Sequence, residues 1–332
     1  MRKWLALCLL LFLSVASGCG FPQATGGHTE TFYRMTDAVG REVVLAKKPE
    51  RIIILAPSFL NIMHAVGGDF IAWADSPGDK APSYAAGKKT VGYTFQVNAE
   101  AVISEKPDLV IGLHGLHDRF TEVMKQNGIP FMLLSASSLE DVERAAEVLG
   151  DVTGHHAEGV KAREQLRKDM ESVVSGLSLK EYTCAILHGT PHSVTLEGKG
   201  TIATETAALL HIRNVFVLDN DRDMKLPPFS LETLVAKDPD IIFLTTMVMP
   251  GQQQEAFRKS LMEQPAWAGM RAVKAGRVYF LPQKLFLSSP GMETTQIVVL
   301  FSSVDKVPNN LGLVDIGVVV SSYFLERLYA NR

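Results

Sequence analysis

One stretch of this chain occurs twice. Asn98-Ala-Glu-Ala-Val-Ile-Ser-Glu-Lys-Pro-Asp-Leu-Val-Ile111 lines up with Ser230-Leu-Glu-Thr-Leu-Val-Ala-Lys-Asp-Pro-Asp-Ile-Ile-Phe243 at a constant offset of 132 residues. Each copy opens on a residue suited to cap a helix, Asn98 or Ser230. Each has a glutamate two residues on, Glu100 or Glu232, where the helix dipole favours negative charge. Each helix must end before a Pro-Asp pair, Pro107-Asp108 or Pro239-Asp240, because the residue before a proline is pushed out of the helical region. An apolar, β-rich run follows in both copies, as in strands buried on both faces. A helix-to-buried-strand unit recurring once per half predicts two α/β lobes of like design. The offset is too long for a solenoid, whose repeats run roughly 20–50 residues.

Other segments fit that plan. Ile52 to Leu55 and Phe131 to Leu134 are short apolar runs in the first half. Thr183 to Leu187, Val194 to Leu196 and Val278 to Leu281 supply strands to the second. Met35 to Leu45 consists of two extended pieces around the turn-forming Asp37 to Gly40, which predicts a hairpin. Between the halves, Glu140 to Leu149 and His155 to Leu177 are helical in pattern; in the second, Val160, Leu166, Met170, Val173, Val174 and Leu177 recur at helical spacing. A helix of about 20 residues is about 30 Å long, enough to span both lobes. The expected division is an N-terminal lobe over 35–154, a connecting helix over 155–178 and a C-terminal lobe over 179–332.

The first 34 of the 332 residues stand outside this plan. Arg2 and Lys3 precede the apolar Trp4 to Val15, and then come Ala16, Ser17, Gly18 and Cys19. Residues 1–18 read as a secretory signal peptide. The small triplet before Cys19 resembles a bacterial lipobox, in which the cysteine is lipidated and becomes the new N-terminus. Several acyl chains on one residue would anchor the protein stably. Residues 19–34 then form the lipidated N-terminus and a flexible tether rich in Gly, Thr and Gln. Of three cysteines, Cys8 leaves with the signal and Cys19 is acylated; Cys184, in an apolar run, reads as core, so no internal disulfide is expected. A net charge of −3 argues against a nucleic-acid footprint. Beyond the first twenty residues no apolar run reaches the roughly 18 residues of a spanning helix.

The chain resembles the substrate-binding proteins of bacterial ABC importers, in the class serving iron–siderophore, haem and cobalamin uptake. The residues that carry the likeness are the lipobox-like Ala16 to Cys19, Thr36 to Val43, Lys48-Pro-Glu-Arg-Ile52 and Ala56-Pro-Ser58. Val91-Gly92, the two Glu…Pro-Asp units, Gly128-Ile-Pro130 and Ala272 to Tyr279 continue it. The resemblance implies two Rossmann-like α/β lobes joined by one long helix, a ligand cleft between them, and no catalysis. It implies a monomer with no cofactor of its own. Its partners would be a small metal chelate, an ABC permease with its ATPase, and the membrane through the lipid; no nucleic acid is implied. It also implies that one glutamate per lobe engages permease arginines, and Glu100 and Glu232 match those positions. The chain departs from the family at Asn61, where a glutamate is common, and after Gly291. There Pro308-Asn-Asn-Leu-Gly312 breaks the chain before Val314 to Leu328, which reads as an amphipathic packing helix.

No catalytic motif is present: Gly-x-Ser-x-Gly and His-Glu-x-x-His are absent, and Glu197-Gly-Lys-Gly-Thr201 lacks the first glycine of a phosphate loop. That segment reads as a turn at the cleft edge. Ligands of α/β sheets bind beyond the carboxyl ends of strands. His114 and His117 follow one such strand, and His188 and His192 the strand of the other lobe. His114 and His188 would ligate a metal, bind haem iron or hydrogen-bond a chelate. The alternative is that these are polar loop residues, more so for His117 and His192. Ser58, Tyr93, Phe95, Lys225, Met247, Lys284 and Phe286 are the other strand-end candidates, offering aromatic and apolar surface or positive charge to an anionic chelate. The expected ligand is an iron chelate of siderophore type, with cobalamin and haem as alternatives; Tyr93, Thr94 and Phe95 stand where cobalamin binders tend to place tryptophan. A metal-dependent hydrolase built on the four histidines is the reading from another class, and it lacks a carboxylate at a recognisable spacing.

Overall fold

The short apolar runs build two sheets. The computed structural model describes residues 31–76, 81–175, 181–190, 193–217, 229–246, 256–257, 259–261, 263–286, 290–302 and 314–315. The N-terminal lobe begins with a hairpin of β1 (Tyr33–Thr36) and β2 (Glu42–Leu45). Its turn is held by Asp37, whose carboxylate accepts the backbone N–H groups of Val39 and Arg41 and pairs with the Arg41 guanidinium. The sheet of the lobe contains β3 (Ile52–Ile54), β4 (Ala72–Asp75), β5 (Lys89–Tyr93), β6 (Gln96–Val97), β7 (Leu109–Leu113) and β8 (Phe131–Leu134) in the order β6-β5-β4-β3-β7-β8. All neighbours are parallel except the β5–β6 hairpin. Helices α1 (Pro57–Ala65), α2 (Ala99–Ser104), α3 (Thr121–Gln126) and α4 (Leu139–Thr153) connect and cover it.

The long connector is α5 (His156–Ser175). Ala162 and Leu166 lie in the N-lobe core, and Met170 in the C-lobe core. One rigid element is therefore part of both hydrophobic cores. It lies close on α4, because Gly150 and Gly159 have no side chains; a Cβ on Gly159 would sit 2.8 Å from the Ala146 carbonyl oxygen. Ion pairs Glu143–Arg167 and Glu147–Arg163 flank the contact.

The C-terminal lobe contains β9 (Thr183–Gly189), β10 (Val194–Leu196), α6 (Ile202–Leu209), β11 (Arg213–Asn214), α7 (Leu231–Lys237), β12 (Ile241–Thr246), β13 (Val278–Phe280) and β14 (Val314–Asp315). Their order is β10-β9-β12-β13-β14, with β11 also on β9; only β10 is antiparallel. Val314 and Asp315, expected to start an amphipathic helix, instead extend the sheet beside β13. The β-branched run around them suits an open sheet edge. Residues 316–332 lie outside the described residues.

The repeat is real in three dimensions. Ile52 of β3 pairs with Leu109 of β7, and Cys184 of β9 pairs with Ile241 of β12, each 132 residues on. The Pro-Asp pairs do the same work in both lobes. Asp108 accepts the Arg51 N–H at 2.8 Å, and Asp240 accepts the Thr183 N–H at 2.9 Å. Each carboxylate thus fastens the start of the lobe's first central strand. Burial alone would raise the Asp240 carboxyl, but the Thr183 hydrogen bonds and the charges of Arg271 and Arg277 hold it below the usual range.

A second link crosses the lobes. The Asn61 amide donates to the Pro290 carbonyl at 2.9 Å, and its oxygen accepts the Met292 N–H at 3.1 Å. Asn61, where relatives were expected to carry a glutamate, is half-buried and fastens α1 to the segment before the helix Thr294–Ser302.

Candidate ligand-binding site

In the N lobe the strand order reverses at β3, with β4 and β5 on one side and β7 and β8 on the other. A crevice forms outside the carboxyl ends of strands at such a point. The loops there are tied together by Thr94, in the two-residue turn between β5 and β6. Its N–H donates to the Asp75 carbonyl at 2.8 Å and its hydroxyl to the Leu55 carbonyl at 2.9 Å. Its own carbonyl accepts His117 Nε2–H at 2.9 Å, while His117 Nδ1 accepts the Leu113 N–H at 2.9 Å. Those partners require a neutral imidazole in one tautomer. His117 is 0% exposed; burial chiefly, with Arg119 nearby, pulls its pKa below the ordinary histidine value against the opposing Thr94 bond. The pin holds the ends of β3, β4, β5 and β7 in register. It leaves Tyr93 half-exposed and Phe95 half-buried at the rim.

His114 is exposed at the end of β7. Its Nδ1–H donates to Asp118 Oδ1 at 2.8 Å, and Asp118 Oδ2 accepts the Gly115 N–H at 2.5 Å. Burial would raise the Asp118 carboxyl, but these hydrogen bonds and the His114 charge outweigh it and lower the pKa. In the C lobe His188 lies inside the last turn of β9 rather than after it. Its Nδ1 is 2.8 Å from the Thr245 hydroxyl on β12, and that hydroxyl donates to Glu197. The second Glu197 oxygen accepts the Thr201 hydroxyl at 2.9 Å, which closes the Glu197-to-Thr201 turn and starts α6. Among the described residues, no three His, Cys, Asp or Glu side chains converge as a metal cage would need.

Two residues read as ligand-facing are inside the protein. Ser58 is 1% exposed under α1, where Pro57 starts the helix and the chain turns inward. Phe286 is 9% exposed and stacks on Phe301 at 5.8 Å, because the aromatic cluster of the C lobe offers it more apolar contact than the rim does. In this conformation neither offers surface to a ligand. Lys225, Met247, His192 and Cys19, and the side chain of Lys284, lie outside the described residues. Glu100 and Glu232 are exposed in the first turns of α2 and α7, whose caps form as expected from Asn98 and Ser230. Sequence reasoning missed Thr94, Asp118, Thr245 and Glu197 as site residues. Asp118 was within reach, four residues after His114; the Glu197–Thr245 contact joins residues 48 apart and leaves no local signal.

The family model of the periplasmic binding proteins matches residues 52–285. The chain belongs to that family, one of transport receptors and not of enzymes, which removes the hydrolase reading. It is 28% identical to an uncharacterized ABC transporter substrate-binding lipoprotein, YvrC of Bacillus subtilis, over 84% of this chain and 89% of that one. It is 22% identical to the Fe(3+)-citrate-binding protein YfmC of Bacillus subtilis, over 87% of this chain and 91% of that one. Other relatives are named for cobalamin binding. In fold it is similar to Staphylococcus aureus IsdE complexed with heme, with a TM-score of 0.67, 19% identity, and coverage of 76% of this chain and 98% of that one. The protein is thus a substrate-binding component of an ABC transporter, working outside the cytoplasm. No helix among the described residues is long and apolar enough to cross a membrane.

Proposed function

We propose that the protein, lipid-anchored through Cys19, captures an iron chelate between its lobes and delivers it to an ABC permease. The observation that carries this reading is the placement of one imidazole per lobe, His114 and His188, at the carboxyl ends of parallel strands. One imidazole from each side is a donor to a complex that brings its own ligands, not a cage for a bare ion. Tyr93 and Phe95 add an aromatic rim suited to an organic chelator. Lys225, Met247 and Lys284 stay in the proposed contact set on charge and position in the chain. Iron is supported by the length over which the ferric-citrate binder aligns. The matched, exposed Glu100 and Glu232 support docking of one permease arginine per lobe; exposed ion pairs contribute orientation more than affinity.

The test is titration of purified protein with ferric citrate, a ferric hydroxamate, haemin and cobalamin, followed by the fluorescence of Trp73 and Trp267. Saturable binding of an iron complex, weakened by His114→Ala, is expected. Binding of cobalamin alone, or of none of the four, overturns the reading.

A further inference from the structure

The Glu197–Thr245–His188 chain of hydrogen bonds goes further. Resting on the iron-chelate reading above, we propose that His188 Nε2 bonds directly to the chelated iron, and that Thr245 and Glu197 are positioning residues that hold it in the competent tautomer. The cargo is then an iron complex with at least one exchangeable coordination position, such as a haem or a ferric polycarboxylate. A hexadentate siderophore, whose donors fill all six positions, does not qualify.

The argument follows the protons. His188 and Thr245 are register partners on adjacent parallel strands, so their side chains share a face of the sheet. The Thr245 hydroxyl has one proton, and it goes to the Glu197 carboxylate, which can only accept. Toward His188 the same oxygen must therefore accept, so Nδ1 carries the hydrogen at 2.8 Å. The lone pair of a neutral ring is left on Nε2, which makes no hydrogen bond among the described residues. Metal-bound histidines generally donate their other N–H to a carboxylate, a carbonyl or a water, which fixes the ring and raises its basicity. Here a hydroxyl relays that role from a carboxylate. The relay is well shielded: Thr245 is 1% exposed, and the side chains of His188 and Glu197 are 23% and 13% exposed. A shielded carboxylate needs partners, and Glu197 has two hydroxyls. Merely closing the turn before α6 requires only the Thr201 bond; it does not account for the Thr245 and His188 links.

Ligation is a simple exchange. The Nε2 lone pair forms a bond to iron as a water or weak donor leaves the metal. No proton is released, since Nε2 has none, and the Nδ1 proton stays in its bond to Thr245. The neutral ring adds no charge, while Glu197 balances part of the iron's.

The experiment uses haemin and ferric citrate, titrated separately, as probes with exchangeable positions, and a hexadentate ferric hydroxamate as the saturated comparison. The wild-type haemin complex is expected to show the optical and EPR signature of imidazole-ligated iron. His188→Ala should lose that signature and bind at least about tenfold more weakly, and added imidazole should restore the spectrum. Thr245→Val and Glu197→Gln should weaken binding about 10- to 100-fold and shift the His188 tautomer seen by 15N NMR, while Thr245→Ser keeps both. Circular dichroism of every variant guards against loss of fold. An unchanged spectrum and affinity in His188→Ala, or a wild-type tautomer protonated at Nε2, overturns the ligation and leaves the receptor reading standing. Preference for the hydroxamate over both open complexes does the same. Failure of wild type to bind any iron complex overturns both.

Discussion

His117 is the residue on which the N-lobe half of the site rests, and His117→Phe isolates its contribution. Phenylalanine conserves ring volume, so little cavity is expected. Both hydrogen bonds disappear, and the Leu113 N–H and the Thr94 carbonyl are left buried beside a hydrocarbon. An orphaned buried group costs about 1–3 kcal/mol, so the pair should cost about 2–6 kcal/mol. The assay is equilibrium urea unfolding followed by Trp73, which lies in β4 of the same lobe, in a Trp267→Phe background. Trp267 Nε1 is buried without a partner, so that background removes an unsatisfied donor. The same pair of proteins should separate with pH. The folded pKa of His117 lies below its unfolded value of about 6.5. Between the two the unfolded chain binds the extra proton, so stability falls as pH drops from about 6.5 toward the folded value. Above that window the contribution is fully present. His117→Phe lacks this loss, so its deficit against wild type should narrow in mild acid. A neutral-pH difference under about 0.5 kcal/mol, or a deficit that does not change with pH, would refute the pin.

Gly291→Ala should destabilise by more than the roughly 1–3 kcal/mol of a strained backbone, because φ is +53° and a Cβ would stand 2.2 Å from Asn61 Oδ1; denaturant midpoints check it, and a neutral result would mean the lobe link is not formed. Asp108→Ala and Asp240→Ala should each cost about 1–3 kcal/mol by freeing a strand-start N–H, measured by unfolding with Trp73 and Trp267 reporting their own lobes. If only one of the two is felt, the repeat does not carry the same role in both lobes. The double variant Glu100→Ala/Glu232→Ala should bind its iron complex and melt like wild type, yet fail to stimulate the ATPase of the cognate permease in liposomes. Equal stimulation would leave these glutamates only the helix-dipole role, worth about 0.3–1 kcal/mol each.

What the amino-acid sequence determined by itself was local or periodic. The repeat, the caps at Asn98 and Ser230, the Pro-Asp stops and the apolar runs are each written within a dozen neighbouring residues. Together they specify two α/β lobes and a long connector. β4 escaped notice, because Ala72–Asp75 is short and carries no turn signal. The histidines could be assigned to strand ends, since a strand and the residue after it are neighbours in the chain. Their chemistry could not be read there. His114 and His117 are three residues apart, yet one is exposed with a carboxylate on Nδ1 and the other is sealed between two backbone groups. His188 takes its tautomer from residues brought together by strand pairing and by the turn after β10. Asn61 meets Pro290 and Met292 across more than 200 residues, and Ser58 and Phe286 turned inward for packing partners distant in the chain. Tertiary structure decided these points because a proton's position, a side chain's burial and a lobe-to-lobe bond depend on what packing puts within about 3 Å.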